Sequence, residues 1–156
     1  MLEFSLVILR REDEFLLARK SRSIGAGCWN GYGGKKEPGE TNLECAKREL
    51  FEESSIKCEE LIDAGFFEVS GYKTNEEMRI NLFVGEHWEG QPQESAEMSS
   101  PTWFKGSEIP YDNMLPSAQY WFPFVCKRQQ IAAKFLFGGP DHNEIRGIRI
   151  DVIGLY

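Results

Sequence analysis

Glutamates at helical spacing within residues 34–56 are the feature that most constrains this chain of 156 residues. Glu52 and Glu53 follow Glu49 by three and four positions, so all three side chains project from one face of a helix. Like charges at these spacings repel each other, and a helix with a purely structural role tends to avoid them. Mg²⁺ or Mn²⁺ reverses that cost, because both ions take carboxylate oxygens and water as ligands. The segment therefore predicts a divalent-cation site.

The alternative interpretation is a solvated acidic helix, which is the usual explanation of a glutamate-rich run. Leu43, Ala46 and Leu50 weigh against it, because they form an apolar stripe at helical spacing. Such a stripe predicts a helix that is docked on the rest of the protein. We therefore expect Glu52 and Glu53 to lie on its solvent-facing side in a fixed orientation.

Two neighbours of the glutamates add to the prediction. Arg48 precedes Glu49 by one residue and Glu52 by four, so it can orient a carboxylate through a charge-assisted hydrogen bond. Gly33, followed by a second glycine, allows a tight backbone turn and can bring its carbonyl oxygen close to the same cation.

The segment resembles the signature of the MutT/Nudix hydrolases, a motif with many fixed positions. The matching positions are Gly34, Glu40, Arg48-Glu49-Leu50, Glu52-Glu53 and Ile56. Ser55 departs from the signature, because the family has a glycine there that ends the helix. The resemblance implies a Nudix α/β/α sandwich and hydrolysis that depends on Mg²⁺, for which Mn²⁺ can substitute.

The pattern of apolar residues is consistent with such a sandwich of a mixed β-sheet between helices. Strands are predicted at 4–9, 15–18, 61–69, 78–86, 103–104, 134–137 and 148–152. Helices are predicted at about 42–54 and 117–130, and Thr41 with Glu44 forms a capping box for the first. Pro123 interrupts the second pattern and predicts a kink or a late helix start. Residues 70–77 read as a polar loop.

Size and composition favour a single domain over residues 1–156 in a reducing compartment. The four cysteines show neither a C-x-x-C pair nor a histidine cluster nearby, which favours free thiols. No stretch approaches ~20 consecutive apolar residues, and the start lacks the basic region of a signal peptide. We therefore expect a cytoplasmic protein without membrane contact.

The net charge of −7 argues against binding to nucleic acid, where a basic face normally supplies the affinity. Part of this charge lies in the glutamates described above, and bound cations would invert the local field. The balance fits a nucleotide substrate that arrives with metal or binds onto it. We expect a monomer or a weak homodimer.

Segments outside the signature resemble one branch of the family, the animal-type oxidised-purine nucleoside triphosphatases (8-oxo-dGTP diphosphatases). The matching segments are 4–7, 25–34, 94–98, 103–104, 109–110 and 120–123. They occur in the same order and span most of the chain.

Carried over by position, the resemblance gives four residues a role. Asn30 takes the place of an asparagine that hydrogen-bonds the purine edge, and an amide offers both a donor and an acceptor. Ser5 takes the place of a threonine on the pocket floor, and Trp121 that of an aromatic residue that stacks on the base. Glu97 matches a distal carboxylate that joins the metal site. As alternatives, Asn30 is a turn residue and Trp121 a core aromatic.

The largest departure lies just before residues 120–123. The branch has a tryptophan, a proline and two aspartates where this chain has Leu115-Pro116-Ser117-Ala118. Ile24 also replaces an aromatic residue. Loss of hydrogen-bonding groups at a recognition edge costs about 1–3 kcal/mol each. Either discrimination between bases is relaxed, or another residue reads the base, or the substrate differs.

The resulting hypothesis is a Mg²⁺-dependent pyrophosphohydrolase of purine nucleoside triphosphates, including oxidised ones. It would release a nucleoside monophosphate and pyrophosphate and so remove damaged nucleotides from the pool. The implied metal ligands are Gly33, Glu49, Glu52, Glu53 and Glu97. Glu52 or Glu53 would accept the proton of the attacking water, with Glu97 as the competitor. Lys20 and Lys35 would meet the phosphates; the alternative is that they are ordinary surface charges.

Two other functions stay open at this point. One is hydrolysis of another nucleoside-diphosphate-linked substrate: a dinucleoside polyphosphate, a nucleotide sugar or a capped RNA. The other is a non-catalytic nucleotide-sensing module, which would usually have lost part of the carboxylate set.

Overall fold

The computed structural model describes residues 1–73 and 76–156, in which a mixed sheet lies between two α-helices. The strands are β1 (Leu2–Arg11), β2 (Glu14–Lys20), β3 (Trp29–Asn30), β4 (Tyr32–Lys35), β5 (Leu61–Ser70), β6 (Met78–Gly85), β7 (Met98–Lys105), β8 (Gln129–Gly138) and β9 (Glu144–Leu155). The helices are α1 (Asn42–Ser54) and α2 (Ala118–Cys126). Short 3-10 turns cover Gly106–Glu108 and Tyr111–Asn113.

The order of strands across the sheet is β3-β2-β1-β6-β5-β8-β9, and β4 and β7 pair with β1 and β2. β1 runs parallel to β6, and β5 runs parallel to β8. The other pairs are antiparallel. β1 lies between β2 and β6 in the sheet. Because β4 pairs with β1, this central strand also positions the loop and the helix that follow β4.

Alternation along the strands produces two separate cores, one on each side of the sheet. Leu6 and Ile8 of β1 belong to the core that packs against α2, where Trp121 is also buried. Val7 and Leu9 face the opposite side and pack with Leu50 and other residues of α1. The fold is the predicted α/β/α sandwich.

The start of α1 is as predicted, whereas its apolar stripe is not. The Thr41 hydroxyl accepts a hydrogen bond from the Glu44 backbone, and the Glu44 carboxylate accepts one from the Thr41 backbone. Ala46 and Leu50 are fully buried, but Leu43 is 38% exposed, so its assignment to the stripe was wrong. In the first turn of α1 it is Cys45, and not Leu43, that is buried.

Ser55 ends α1 without the glycine that the family has at this position. It adopts a left-handed conformation with φ 65° and ψ 15°, and its N–H donates to the carbonyl of Phe51. The Ser55 side chain is exposed, so the conformation meets no crowding from the core. The helix therefore stops at the predicted residue, at the expense of some backbone strain.

The second helix and several strands differ in length from the prediction. α2 begins at Ala118, ahead of Pro123, so the proline does not delay its start. It ends at Cys126 because Arg128 turns the chain with φ 57°, and Gln129 and Gln130 then pair with β9. β1 and β7 are longer than predicted. Within the predicted loop 70–77, residues 74 and 75 lie outside the described residues.

Neither helix among the described residues has the length and apolar character needed to cross a membrane.

Leu50 and Leu43 allow the docking of α1 to be tested on a single helix. Leu50→Ala should lower the free energy of unfolding by about 2–5 kcal/mol, because it leaves a cavity in a closed core. Leu43→Ala, as the matched control, should cost less than about 1 kcal/mol, since this side chain is already partly in water. Chemical denaturation measures both. Equal losses would contradict the observed difference in burial between Leu50 and Leu43.

Candidate functional site

Arg48 gathers the glutamates of the signature around one guanidinium group. Its Nη1 atom donates to Glu49 Oε1 at 2.8 Å and to Glu52 Oε2 at 3.3 Å. Its Nε and Nη2 atoms both donate to the carboxylate of Glu40, and Nη2 also donates to the carbonyl of Lys35 at 3.2 Å. The hydrogen bonds from Arg48 hold the pKa of Glu40 down at about 2. One cation thus offsets the repulsion between several carboxylates.

Glu53 is buried, with 4% of its surface exposed, which corrects the expectation that it faces solvent. It follows Ala46 by seven residues and Leu50 by three, so it shares the docked face of α1. Its Oε1 atom accepts a hydrogen bond from the N–H of Gly33 at 2.9 Å. Burial raises the pKa of this carboxyl to about 8, and the neighbouring carboxylates of Glu49 and Glu97 add to the effect.

Glu97 reaches the same place from the segment ahead of β7. Its carboxylate pairs with Arg22 at 2.7 Å, and the hydrogen bond from Arg22 lowers its pKa. It also interacts with the carboxyl of Glu53. The distant glutamate predicted from sequence therefore lies beside the helix glutamates.

The donor set suits a hard divalent cation, although side chains would have to move to bind one. Among the described residues, no three histidine, cysteine, aspartate or glutamate groups are close enough to hold an ion as they stand. Arg48 and Arg22 draw the carboxylates towards themselves. All the side-chain donors are carboxylate oxygens, the type that Mg²⁺ and Mn²⁺ prefer.

Gly34 leaves the space in which the Glu49 carboxylate lies. A Cβ atom built on Gly34 would stand 2.5–2.7 Å from the three atoms of that carboxylate group. The glycine therefore lets the carboxylate of Glu49 lie directly against the backbone of β4, in space that any side chain at position 34 would occupy.

These residues line an open groove, which we call the acidic groove. Its carboxylates are those of Glu37, Glu49, Glu52, Glu53 and Glu97, and its cations are those of Lys20, Arg22, Lys35, Lys36 and Arg48. A groove with both kinds of charge can hold a cation and the phosphates that the cation accompanies.

A second depression, the apolar cavity, opens beside the groove. Its walls come from β1, β5, β6, β8, α2 and the loops before β3 and α2. They include Phe4, Ile24, Phe67, Val69, Met78, Ile80, Met114, Leu115 and Phe137. Phe4, Lys20, Gly33, Gly34 and Glu53 line both the cavity and the groove. A ligand with an apolar ring and a charged tail can therefore occupy both at once.

Polar groups in the cavity are few. The Ser5 hydroxyl donates to the carbonyl of Asn42 at 2.9 Å. Asn30 lies on β3, and its Oδ1 atom accepts from the N–H of Gly31 at 2.9 Å. Ser117 is buried, and its hydroxyl does not cap α2, while Ala118 offers no polar group. Ser5, Asn30, Ser117 and Ala118 all line the cavity.

Trp121 is both a core residue and a cavity wall, so the two interpretations of this tryptophan are not exclusive. It is 2% exposed and stacks on Phe67, with ring centroids 5.3 Å apart and an interplanar angle of 20°. One indole face is occupied by that contact, which fixes the orientation of the other.

Sequence reasoning missed Arg22 and most of the cavity walls. Arg22 is an exposed loop residue that no periodicity marks, and only the fold brings it to Glu97. Phe67 with Val69, and Met78 with Ile80, were detectable as alternate residues of predicted strands. Their alternation shows that they share a face, but not that part of that face is hollow.

Comparison with known proteins places this geometry in a family. The family model described as NUDIX domain matches residues 1–125, which include β1 to β7, α1 and most of α2. The chain belongs to the NUDIX family. The match contains the acidic groove and nearly all of the cavity, whereas the β8–β9 hairpin lies beyond it.

Curated relatives and a solved structure resemble this Nudix protein over nearly its whole length. It is 37% identical to the oxidized purine nucleoside triphosphate hydrolase of Mus musculus, over 88% of each chain. The protein of the same name from Danio rerio is 36% identical, over 88% of this chain and 87% of its own. A crystal structure of a MutT protein from Bacillus halodurans superposes with a TM-score of 0.81 at 27% identity, covering 97% of this chain and 98% of its own.

Gly34→Ala should impair cation binding in this Nudix protein without unfolding it. The added methyl group displaces the end of a flexible glutamate side chain, so the free energy of unfolding should change by less than about 1 kcal/mol. The affinity for Mn²⁺, measured by titration calorimetry, should fall by about tenfold, in the range seen when groups that orient ligands are lost.

Gly147→Ala in β9 is the control for this substitution. A Cβ atom at Gly147 meets only Leu136, at an ordinary distance of 3.6 Å, so neither quantity should change. Unaltered Mn²⁺ affinity in Gly34→Ala would show that cation binding does not require the carboxylate of Glu49 at its present position.

Proposed function

We propose that this Nudix hydrolase cleaves purine nucleoside triphosphates, including oxidised ones, into a nucleoside monophosphate and pyrophosphate, and so removes damaged nucleotides from the pool. The observation that carries the proposal is the continuity of the apolar cavity with the acidic groove through Gly33, Gly34 and Glu53. The cavity has the apolar walls that a base requires, and the groove has the mixed charges that a metal-bound triphosphate requires. The two curated relatives described above carry this activity in their names.

Nudix hydrolases need a divalent metal ion, and we propose Mg²⁺, with Mn²⁺ as a substitute. Glu49, Glu52, Glu53 and Glu97 would hold it together with the carbonyl oxygen of Gly33. The ion would supply Lewis acidity to the phosphoryl oxygens and lower the pKa of a bound water.

Within this set, the groups around Glu53 have distinct tasks. Glu53 is the proton acceptor that we favour for the attacking water, since the N–H of Gly33 fixes one of its oxygens. A bound cation would offset the effect of burial on its pKa and keep it ionised. Glu52 and Glu97 are the competitors for that role. Arg48 orients Glu49 and Glu52 through its hydrogen bonds. Lys20 and Lys35 line the groove and would meet the phosphates.

The base would enter the apolar cavity. Trp121, which lines the cavity, would stack on it, and Asn30 would hydrogen-bond its edge with the amide nitrogen. Ser5 would shape the floor. Ser117 presents a single neutral hydroxyl where the related enzymes have a carboxylate, and Ala118 presents none.

The free state of all four cysteines supports a reducing location, for which we propose the cytoplasm.

Removal of divalent ions tests the metal requirement. Hydrolysis of dGTP and 8-oxo-dGTP should cease in excess chelator and return with Mg²⁺ or Mn²⁺, because the carboxylates alone cannot activate water. Pyrophosphate release measures the reaction, and ion chromatography of the products distinguishes pyrophosphate from phosphate. Full activity in chelator would contradict the proposed use of these glutamates.

Glu53→Gln tests the assignment of the proton acceptor. It should reduce kcat by about 10²–10⁴-fold, because an amide cannot accept the proton, while the fold is retained. Glu44→Gln, on the first turn of the same helix and outside the groove, should keep normal turnover. If Glu53→Gln loses only a few-fold in kcat while Glu52→Gln or Glu97→Gln loses much more, Glu53 is not the proton acceptor and the more affected glutamate is.

Selectivity for the base follows from the residues at the start of α2. The preference for 8-oxo-dGTP over dGTP in kcat/KM should be below about a hundredfold, since two polar contacts of about 1–3 kcal/mol each are missing. Introducing Ser117→Asp and Ala118→Asp together should raise that preference. A thousandfold preference of the unaltered enzyme would show that another side chain reads the oxidised edge.

A further inference from the structure

The strand at the outer edge of the sheet exposes several apolar side chains and has a neighbouring strand on one side. β9 (Glu144–Leu155) is the last strand in the sheet order and, within the described residues, pairs only with β8. Several large apolar side chains on it are exposed: Ile148 (43%), Val152 (49%), Ile153 (54%) and Leu155 (77%). Four of its twelve residues are charged, but it contains no proline, so the backbone groups on its outer side can pair with another strand.

Charge does not oppose the approach of a second copy at this edge, although the whole chain carries −7. The β8–β9 hairpin has three basic residues (Lys134, Arg146, Arg149) and three acidic residues (Asp141, Glu144, Asp151), so its side-chain charges cancel. The excess negative charge of the chain therefore lies outside this hairpin.

The sequence of β9 is complementary to itself in one antiparallel register. Within each copy, Arg149 Nε donates to Asp151 Oδ2 at 3.0 Å. With Ile150 opposite its own copy on a twofold axis, Arg149 also lies opposite the Asp151 of the second copy, so the four charges alternate in sign, and Ile148 lies opposite Val152. Each of these pairs occurs twice, because the interface is isologous. Pairs of opposite charge and pairs of β-branched residues both stabilise adjacent strands.

Neighbouring registers lack this complementarity. A shift of the twofold axis by one residue sets Arg149 opposite Arg149, or Asp151 opposite Asp151, and like charges at that distance are destabilising. A register that pairs odd with even positions would place the apolar face of one copy beside the charged face of the other. The pattern of charges thus selects one alignment.

The apolar face in this alignment continues a face that each copy already has. Ile150 packs against the core on the α2 side of the sheet, and Ile148 pairs with the buried Phe135 of β8. Pairing across the twofold axis would cover Ile148 and Val152 and extend that face from one copy to the next. The hairpin lies outside residues 1–125, which match the family model, and β9 lines neither the cavity nor the groove.

We propose that the exposed edge of β9 is a self-association surface, on which two copies join as a weak antiparallel dimer in the register Arg149–Asp151. The dimer is weak because a single strand pair buries less surface than a standard stable interface. Its formation is independent of nucleotide binding and of the proposed hydrolysis.

Sedimentation equilibrium of the full chain, from about 5 µM to about 500 µM, tests the association. A reversible monomer–dimer equilibrium is expected. A protein that stays monomeric over the whole range, or that forms open-ended polymers, would overturn the proposal, since a twofold edge contact closes at two copies.

Two charge reversals test the register. Arg149→Asp gives copies with only acidic residues at the paired positions, and Asp151→Arg gives copies with only basic ones. Each variant alone should raise the dimer dissociation constant by at least about tenfold. An equimolar mixture of the two should regain association, because every facing pair is then of opposite charge. Misfolding cannot produce that rescue.

Leu43→Lys is the matched control, since Leu43 is exposed on α1 rather than on the sheet edge. It should leave the dissociation constant unchanged. Both charge variants should also keep normal hydrolytic activity. A dimer that persists in both charge variants, or a mixture that remains monomeric, would refute the register.

Discussion

The charge of Arg48 is the condition on which the arrangement of the site depends. Without a cation between them, the carboxylates of Glu40, Glu49 and Glu52 would repel each other on one helix and its approach loop. Arg48 joins all three and also binds the carbonyl of Lys35, which ties the helix to the end of β4. The same side chain therefore keeps α1 intact and fixes the distance between helix and sheet edge.

The burial of Glu53 shows how the two halves of the site are joined. Because α1 turns Glu53 towards the sheet rather than towards water, its carboxyl group forms a boundary between the apolar cavity and the acidic groove. A solvent-facing glutamate would have belonged to the groove alone. The face of α1 that docks on the sheet carries Leu50 and Glu53 together, so one orientation of the helix serves both packing and chemistry.

The sequence predicted the fold class, the capping box of α1 and the positions of most strands along the chain, because these depend on local spacing. The position of Glu97 beside the helix glutamates was also predicted, but from the family resemblance and not from any pattern in the residues. Glu53 was expected in solvent with the other glutamates, although it follows Ala46 by seven residues and so lies on the same face. The exposure of Leu43 could not be predicted, since spacing defines a helix face but not how far along the helix that face is covered. Arg22 was missed for a different reason: its partner is 75 residues away. The hollow beside Trp121 was missed because binary patterns describe which side is apolar and not whether it is filled.

The apolar cavity lies within a hydrophobic core and not on top of it. Trp121, Phe67, Val69, Met78 and Phe137 are members of the core on the α2 side, and the same side chains form the cavity wall. An aromatic ligand would therefore complete the packing of that core, so that occupancy and folding draw on the same contacts. Evolution of a new base preference in this protein is consequently constrained by stability: any wall residue that changes to fit a different ring also changes how well the empty enzyme holds together.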